Sequence, residues 1–247
     1  MYILFLILVI IWFVIYPLIG AMRKGKKPLD SPLTEKERIK YYIRNIAFGW
    51  GCALVVLSLY LLIGIYLFAG VSFYDIGLRG IILNPNIWFT SVTLILCGIY
   101  IIAHIYEMIA CLVNPKHREK EKDKLAVKYG ANKTVKNLLP RSKKERKYWF
   151  FLSLTAGICE EIIFRGFLFF LLQAVFPNMP ILLILVAASA IFGTAHAYQG
   201  IKGMRNAAMV GALHGCLFLV TGSLIPSMFM HFTVDISAVF LLSEDTK

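Results

Sequence analysis

The sequence predicts an all-α fold, a polytopic transmembrane helical bundle of about seven spans with polar residues in its interior. Three observations lead there. Of the 247 residues, 59% are hydrophobic and the mean hydropathy is +0.72, whereas soluble domains run at about 45–50% apolar. Apolar runs close to the roughly 20 residues needed to cross a hydrocarbon core recur along the chain. Lysine and arginine gather in alternate connections between those runs.

The first run, 2–21, has no basic leading segment and is followed by "RKGKK", so it reads as a retained span rather than a cleaved signal peptide. Runs at 46–69 and 87–113 complete an N-terminal three-span region, 1–113, with one cytoplasmic connection. Residues 114–148 form a basic cytoplasmic or interfacial linker. The runs 149–172, 180–197, 206–223 and 224–243 make a second helical core, 149–243, and 244–247 is a C-terminal tail. The last three runs are either short or separated by little more than Gly and Pro, so a re-entrant segment near 206–228 would change the span count by one.

Charge orients the bundle. Segment 22–45 holds eight Lys and Arg, 114–148 holds thirteen and 198–206 holds two, while 70–86 holds only Arg79 and 173–180 none. With the N-terminus outside and the C-terminus cytoplasmic, every basic-rich connection faces the cytoplasm, as the positive-inside rule requires of a multi-pass protein of the cell membrane. The net charge of +12 is thereby accounted for without nucleic acid as a partner. The linker has a weakly amphipathic middle (Leu125, Val127, Val135, Leu138, Leu139), which reads either as a solvated loop or as an interfacial helix held to anionic headgroups.

The five cysteines lie in apolar stretches without C-x-x-C spacing, which reads as small buried hydrophobes rather than disulfides or a zinc ribbon. No G-x-S-x-G elbow, H-E-x-x-H motif or Gly-rich phosphate loop is present.

Against this apolar background, "GICEEIIFRGF" at 157–167 places two glutamates and an arginine inside a span. Positions i and i+4 share a helical face, so Glu161 and Arg165 can pair, whereas Glu160 points elsewhere without a local partner. "FGTAH" sets Phe192 and His196 one turn apart, and "HFTVD" does the same for His231 and Asp235. A carboxylate one turn from an imidazole can orient it or support it as a metal ligand. Taken singly, each pair is as well explained by packing or helix glue. Together, four formally charged side chains facing lipid would cost on the order of 10 kcal/mol, so they must converge on one another or on water. A hydrated pocket lined by Glu160, His196, His231 and Asp235 would be equipped to activate water. His104 and Glu107, three residues apart, read as an interfacial pair; His214 in "GALHGCLFL" lies between Gly211 and Gly215, a spacing suited to close helix packing.

The order E-E-x-x-x-R, F-x-x-x-H, H-x-x-x-[N/D], each motif on its own span, resembles the CAAX-protease and bacteriocin-processing family of intramembrane endopeptidases, also called CPBP or Abi proteins. The resemblance covers about residues 149–240. It implies that Glu160 and His196 activate the water that attacks a scissile carbonyl, with Glu161, Arg165 and Phe192 supporting the site. It also implies that His231 and residue 235 stabilise the oxyanion. Some prenyl-protein proteases of the family carry Asn at the last position; with Asp235 here, the acid more plausibly orients or charges His231. The family has been described both as metalloproteases and as metal-independent glutamate-type proteases. If zinc is present, Glu160, His196 and His231 are the ligand set expected for Zn2+. The expected partner is a membrane-anchored or lipid-attached peptide in the bilayer, as in CAAX processing or bacteriocin and signal-peptide processing. Two other classes stay open: a proton-coupled transporter, in which the same side chains relay protons, and a non-catalytic bacteriocin self-immunity protein.

Overall fold

The computed structural model describes residues 2–22, 32–67, 71–121 and 137–241. The "RKGKK" stretch, most of the amphipathic middle of the linker and the 244–247 tail lie outside the described residues. Among the described residues, the apolar runs fall on helix. α1 (Tyr2–Ile10) passes through a π turn (Ile11–Ile15) into α2 (Tyr16–Met22), followed by α3 (Glu35–Leu67) and α4 (Ile87–Val113). α5 (Lys143–Glu161) continues through a second π turn (Ile162–Phe167) into α6 (Leu168–Val175). α7 (Ile181–Ala195), α8 (Gly200–Thr221) and α9 (Leu224–Leu241) complete the bundle, with a short 3-10 turn (Ala197–Gln199) between α7 and α8.

Two helices begin well before their apolar runs, because helix starts are set by caps rather than by hydropathy. Thr34 accepts from the Glu37 backbone N–H at 3.3 Å while Glu37 accepts from the Thr34 N–H at 2.8 Å, so α3 begins at Glu35 rather than at 46. Ser142 and Glu145 form the same reciprocal box at the start of α5. Glu145 is fully buried there and accepts from Arg38 Nε at 2.6 Å, and Tyr42 donates to the Leu138 carbonyl, so the end of the basic linker is clamped to α3.

Among the described residues, three helical stretches are long and apolar enough to cross a membrane: Glu35–Leu62, Ile87–Val113 and Ala197–Thr221. Ile181–Ala195 and Leu224–Phe240 are shorter apolar helices, and the apolar runs at 2–21 and 149–172 are each interrupted by a π turn. The outward face of α4 shows what surrounds the bundle. Val92, Ile95, Ile99 and Ile102, at helical spacing, keep 53–68% of their surface exposed. A soluble fold would bury such a stripe; in an integral membrane protein it meets lipid.

Small residues let the inner helices touch backbone to backbone. A methyl group at Gly157 of α5 would lie 3.0 Å from the Met228 carbonyl oxygen and 3.1 Å from the Phe232 nitrogen of α9. One at Gly193 of α7 would lie 2.8 Å from both the Ala208 Cβ and the Met204 carbonyl oxygen of α8. Gly211 and Gly215 also lie at close contacts: Gly211 faces Phe192 and Arg165, and Gly215 faces Leu185 and Phe169. The α3–α4 connection closes one end of the bundle. Its Ile82 and Asn84 N–H groups each donate at 2.8 Å to the carbonyls of Thr221 and Val220, and Gly77 accepts from Leu224 N–H at 2.8 Å. The resulting frame of α5, its π turn, α7, α8 and α9 carries Glu160, Glu161, Arg165, Phe192, His196, His214, His231 and Asp235, while His104 and Glu107 lie on α4.

Candidate active site

Glu160 and Glu161 are the last residues of α5, immediately before the π turn. Wide turns of this kind recur at functional sites because they re-aim successive side chains. Here the two carboxylates enter different surroundings. Glu161 is fully buried and bonded on both oxygens. Its Oε1 accepts from Arg165 Nη1 at 2.9 Å and lies 2.8 Å from His231 Nδ1 and 3.2 Å from His214 Nδ1. Its Oε2 accepts from the Ser227 hydroxyl at 2.6 Å. Arg165 also donates to the Gly211 carbonyl at 3.1 Å, and its guanidinium stands 4.3 Å over the Phe192 ring. Thus Phe192 and Gly211 seat the cation that neutralises Glu161.

Glu160 has the opposite character. Its Oε2 is buried and has no hydrogen-bond partner, while the side chain as a whole keeps 31% of its exposure. That oxygen lies 4.0 Å from His196 Nε2 and 3.9 Å from His231 Nε2. Asp235 Oδ2 lies 3.8 Å from the same His231 nitrogen, with its side chain 37% exposed. The structure therefore brings together the four residues expected to line one pocket, from three different helical segments, at one partly open place.

His196 caps the end of α7, where the helix yields to the 3-10 turn, rather than sitting within a span. Its Nδ1 is 2.9 Å from the Phe192 carbonyl, which can only accept, so in the neutral ring Nε2 carries a lone pair toward Glu160. The spacing of Phe192 and His196 thus does two jobs: the ring stacks under Arg165 and the carbonyl sets the imidazole.

Two sequence expectations change. The sequence expects Asp235 to orient or charge His231; the hydrogen bond that orients the ring runs from His231 Nδ1 to the Glu161 carboxylate, and Asp235 stands off at 3.8 Å as a nearby charge. The i, i+4 relation along one helix was outcompeted by the backbone approach of α5 to α9 at Gly157, which delivers a buried carboxylate at shorter range. Glu161, in turn, is more than the partner of Arg165: it is the hub joining α5, α8 and α9. His214 reaches this hub rather than the open side. Ser227 and Trp149, which donates to the Asp235 carbonyl at 3.0 Å, carry no signal in one sequence because Ser and Trp are unremarkable in membrane helices. Glu107 Oε2 is hydrogen-bonded to His117 Nε2 at 2.9 Å, and His104 bonds Ser237 at 3.1 Å.

Among the described residues, two sets of three donor atoms lie within 4.8 Å of one another, Glu161/His214/His231 and Glu107/Cys111/His117; the set expected from the sequence for zinc, Glu160/His196/His231, is not one of them. The buried set suits a cation poorly, because the Arg165 guanidinium already occupies the Glu161 oxygen that would ligate it.

No curated protein and no solved structure matches the chain. Residues 144–237 match the family model described as type II CAAX prenyl endopeptidase Rce1-like. The match spans α5 to α9, so the family resemblance carried by the three motifs is shown over the segment that builds this site.

Proposed function

We propose that the protein is an intramembrane endopeptidase that hydrolyses a peptide bond in a membrane-anchored or lipid-attached peptide, with a CAAX-type prenylated tail as the first substrate class to test. The observation that carries the reading is the gap between Glu160 and His196. Two acceptors, a carboxylate oxygen and an imidazole lone pair, face each other at 4.0 Å. That is too far for a direct hydrogen bond and suited to a bridging water that donates one hydrogen to each. Such a water keeps its lone pairs free and has a base on either side within the 2.6–3.2 Å that proton transfer needs. As its oxygen attacks the carbonyl, Glu160 or His196 takes the proton and later returns it to the leaving amine.

His231 would stabilise the oxyanion. With Nδ1–H committed to Glu161, its Nε2 donates only when the ring is doubly protonated, and Glu161 and Asp235 then balance that charge. Glu161 acts as a positioning residue. The same Glu160, His196 and His231 atoms would be the ligands of a zinc ion, which when bound would acidify a water. Donor pairs on tetrahedral zinc lie about 3.3 Å apart, closer than the 3.9–4.0 Å seen here.

The test is cleavage of a prenylated CAAX peptide and of leader-type membrane peptides by the purified protein in detergent, with mass spectrometry mapping the cut. Glu160→Gln and His196→Ala should remove cleavage while the protein stays folded. Full activity in either variant overturns the assignment. Cleavage should survive a strong chelator, and a loss restored by zinc would assign the water to a metal instead.

A further inference from the structure

The cluster at the end of α4 is used by nothing above. Glu107 and Cys111 lie one turn apart on that helix, the chain breaks at Asn114, and a helical stretch at 115–121 brings His117 back against them. Asn114 holds the break in place, since its side-chain oxygen accepts from the backbone N–H groups of Lys116 and His117 at 3.0 and 3.1 Å. One carboxylate oxygen, one thiol sulfur and one imidazole nitrogen thereby come within 4.8 Å of one another. The Cys111 side is buried, with 1% of its surface exposed, while the Glu107 and His117 side chains keep 39% and 24%. The cluster has a closed floor and an open mouth.

We propose that Glu107, Cys111 and His117 form a binding site for a borderline divalent cation of the zinc class, separate from the Glu160 centre and independent of the peptidase reading. Sulfur, imidazole nitrogen and carboxylate oxygen together are the donor mixture that zinc takes in tetrahedral sites. The Glu107 Oε2 to His117 Nε2 hydrogen bond of 2.9 Å marks where the ion enters. A cation replaces the shared proton, and the two atoms open to the roughly 3.3 Å spacing of tetrahedral ligands. The thiol proton leaves to solvent as the ion binds, and the imidazole gives up its Nε2 proton and remains neutral with its N–H on Nδ1. Water, or Glu121 one turn beyond His117, completes the fourth position. The ion staples the 115–121 stretch to α4 where the basic linker begins. One turn earlier, His104 of α4 bonds Ser237 of α9, the helix that carries His231.

The full chain purified in detergent and stripped of metal is titrated with Co2+, then competed with Zn2+. The expected result is a thiolate-to-cobalt charge-transfer band that Zn2+ abolishes, with about one ion per chain. Cys111→Ser should lose the band and His117→Ala should weaken binding, while Glu160→Gln keeps both. In the wild type, hydrogen exchange over 115–121 should slow on metal addition, a readout that holds even if a variant folds poorly. No band in the wild type, or a band retained in Cys111→Ser and so arising from another cysteine, overturns the proposal.

Discussion

Two glutamates adjacent in sequence end in unlike environments, and that contrast is the chemistry of the site. Glu161 is saturated by a guanidinium, a hydroxyl and imidazole nitrogens. Removing its charge strands Arg165, which is 2% exposed. Breaking a buried pair from one side costs about 3–5 kcal/mol. Glu161→Gln should therefore lower yield and unfolding temperature, measured by a thermal melt in detergent. Glu160→Gln removes a carboxylate oxygen that has no hydrogen-bond partner, so it should leave the melt unchanged and remove cleavage. A matching loss of stability in both variants would contradict the division of labour. His231→Ala should lower kcat by about 10²–10³, the usual cost of one oxyanion donor, read in steady-state cleavage at saturating substrate.

At the scale of elements, the site exists because helices approach more closely than ordinary side chains allow. Gly157 puts α5 against the backbone of α9 and so places Glu161 at 2.8 Å from His231. Gly157→Val should push the two helices apart, with an overpacking cost of about 1–3 kcal/mol. Cleavage should fall more than the melt implies, because the His231 hydrogen bond lengthens. The π turn after Glu161 is the second element-scale device. It widens the helix where Arg165 must reach both Glu161 and the Gly211 carbonyl of α8. The end of α7 is the third, since stopping the helix at Ala195 frees His196 to turn its Nε2 toward Glu160.

Across the whole molecule, the N-terminal helices brace the family-matched segment. Arg38 of α3 pairs with buried Glu145 at the start of α5, and Tyr42 packs edge-on against Trp149, which holds the Asp235 carbonyl. α4 closes on α8 and α9 through Cys97, Leu217, Val220 and Met230. Glu145→Ala leaves Arg38 buried without its partner and should destabilise by about 3–5 kcal/mol, with cleavage falling in parallel as Trp149 shifts. The positive-inside rule gives an expectation open to direct test, that the 114–148 linker is cytoplasmic and the N-terminus outside. In sealed cells a protease added outside should cut a tag at the N-terminus and spare one inserted in the linker.

Helical class, the position of the apolar runs and the convergence of Glu160, His196, His231 and Asp235 are legible in the chain. Hydropathy reports solvent, and charged groups in lipid can persist only by converging. The starts of α3 and α5 lie ahead of the apolar runs because their caps lie in polar sequence. The carboxylate that orients His231, the contributions of Ser227, His214 and Trp149, and the π turn were decided by tertiary structure alone. The reason is physical: periodicity along one helix says which side chains share a face, while the distance between faces on different helices depends on small residues such as Gly157 and Gly193 and on the backbone contacts they permit.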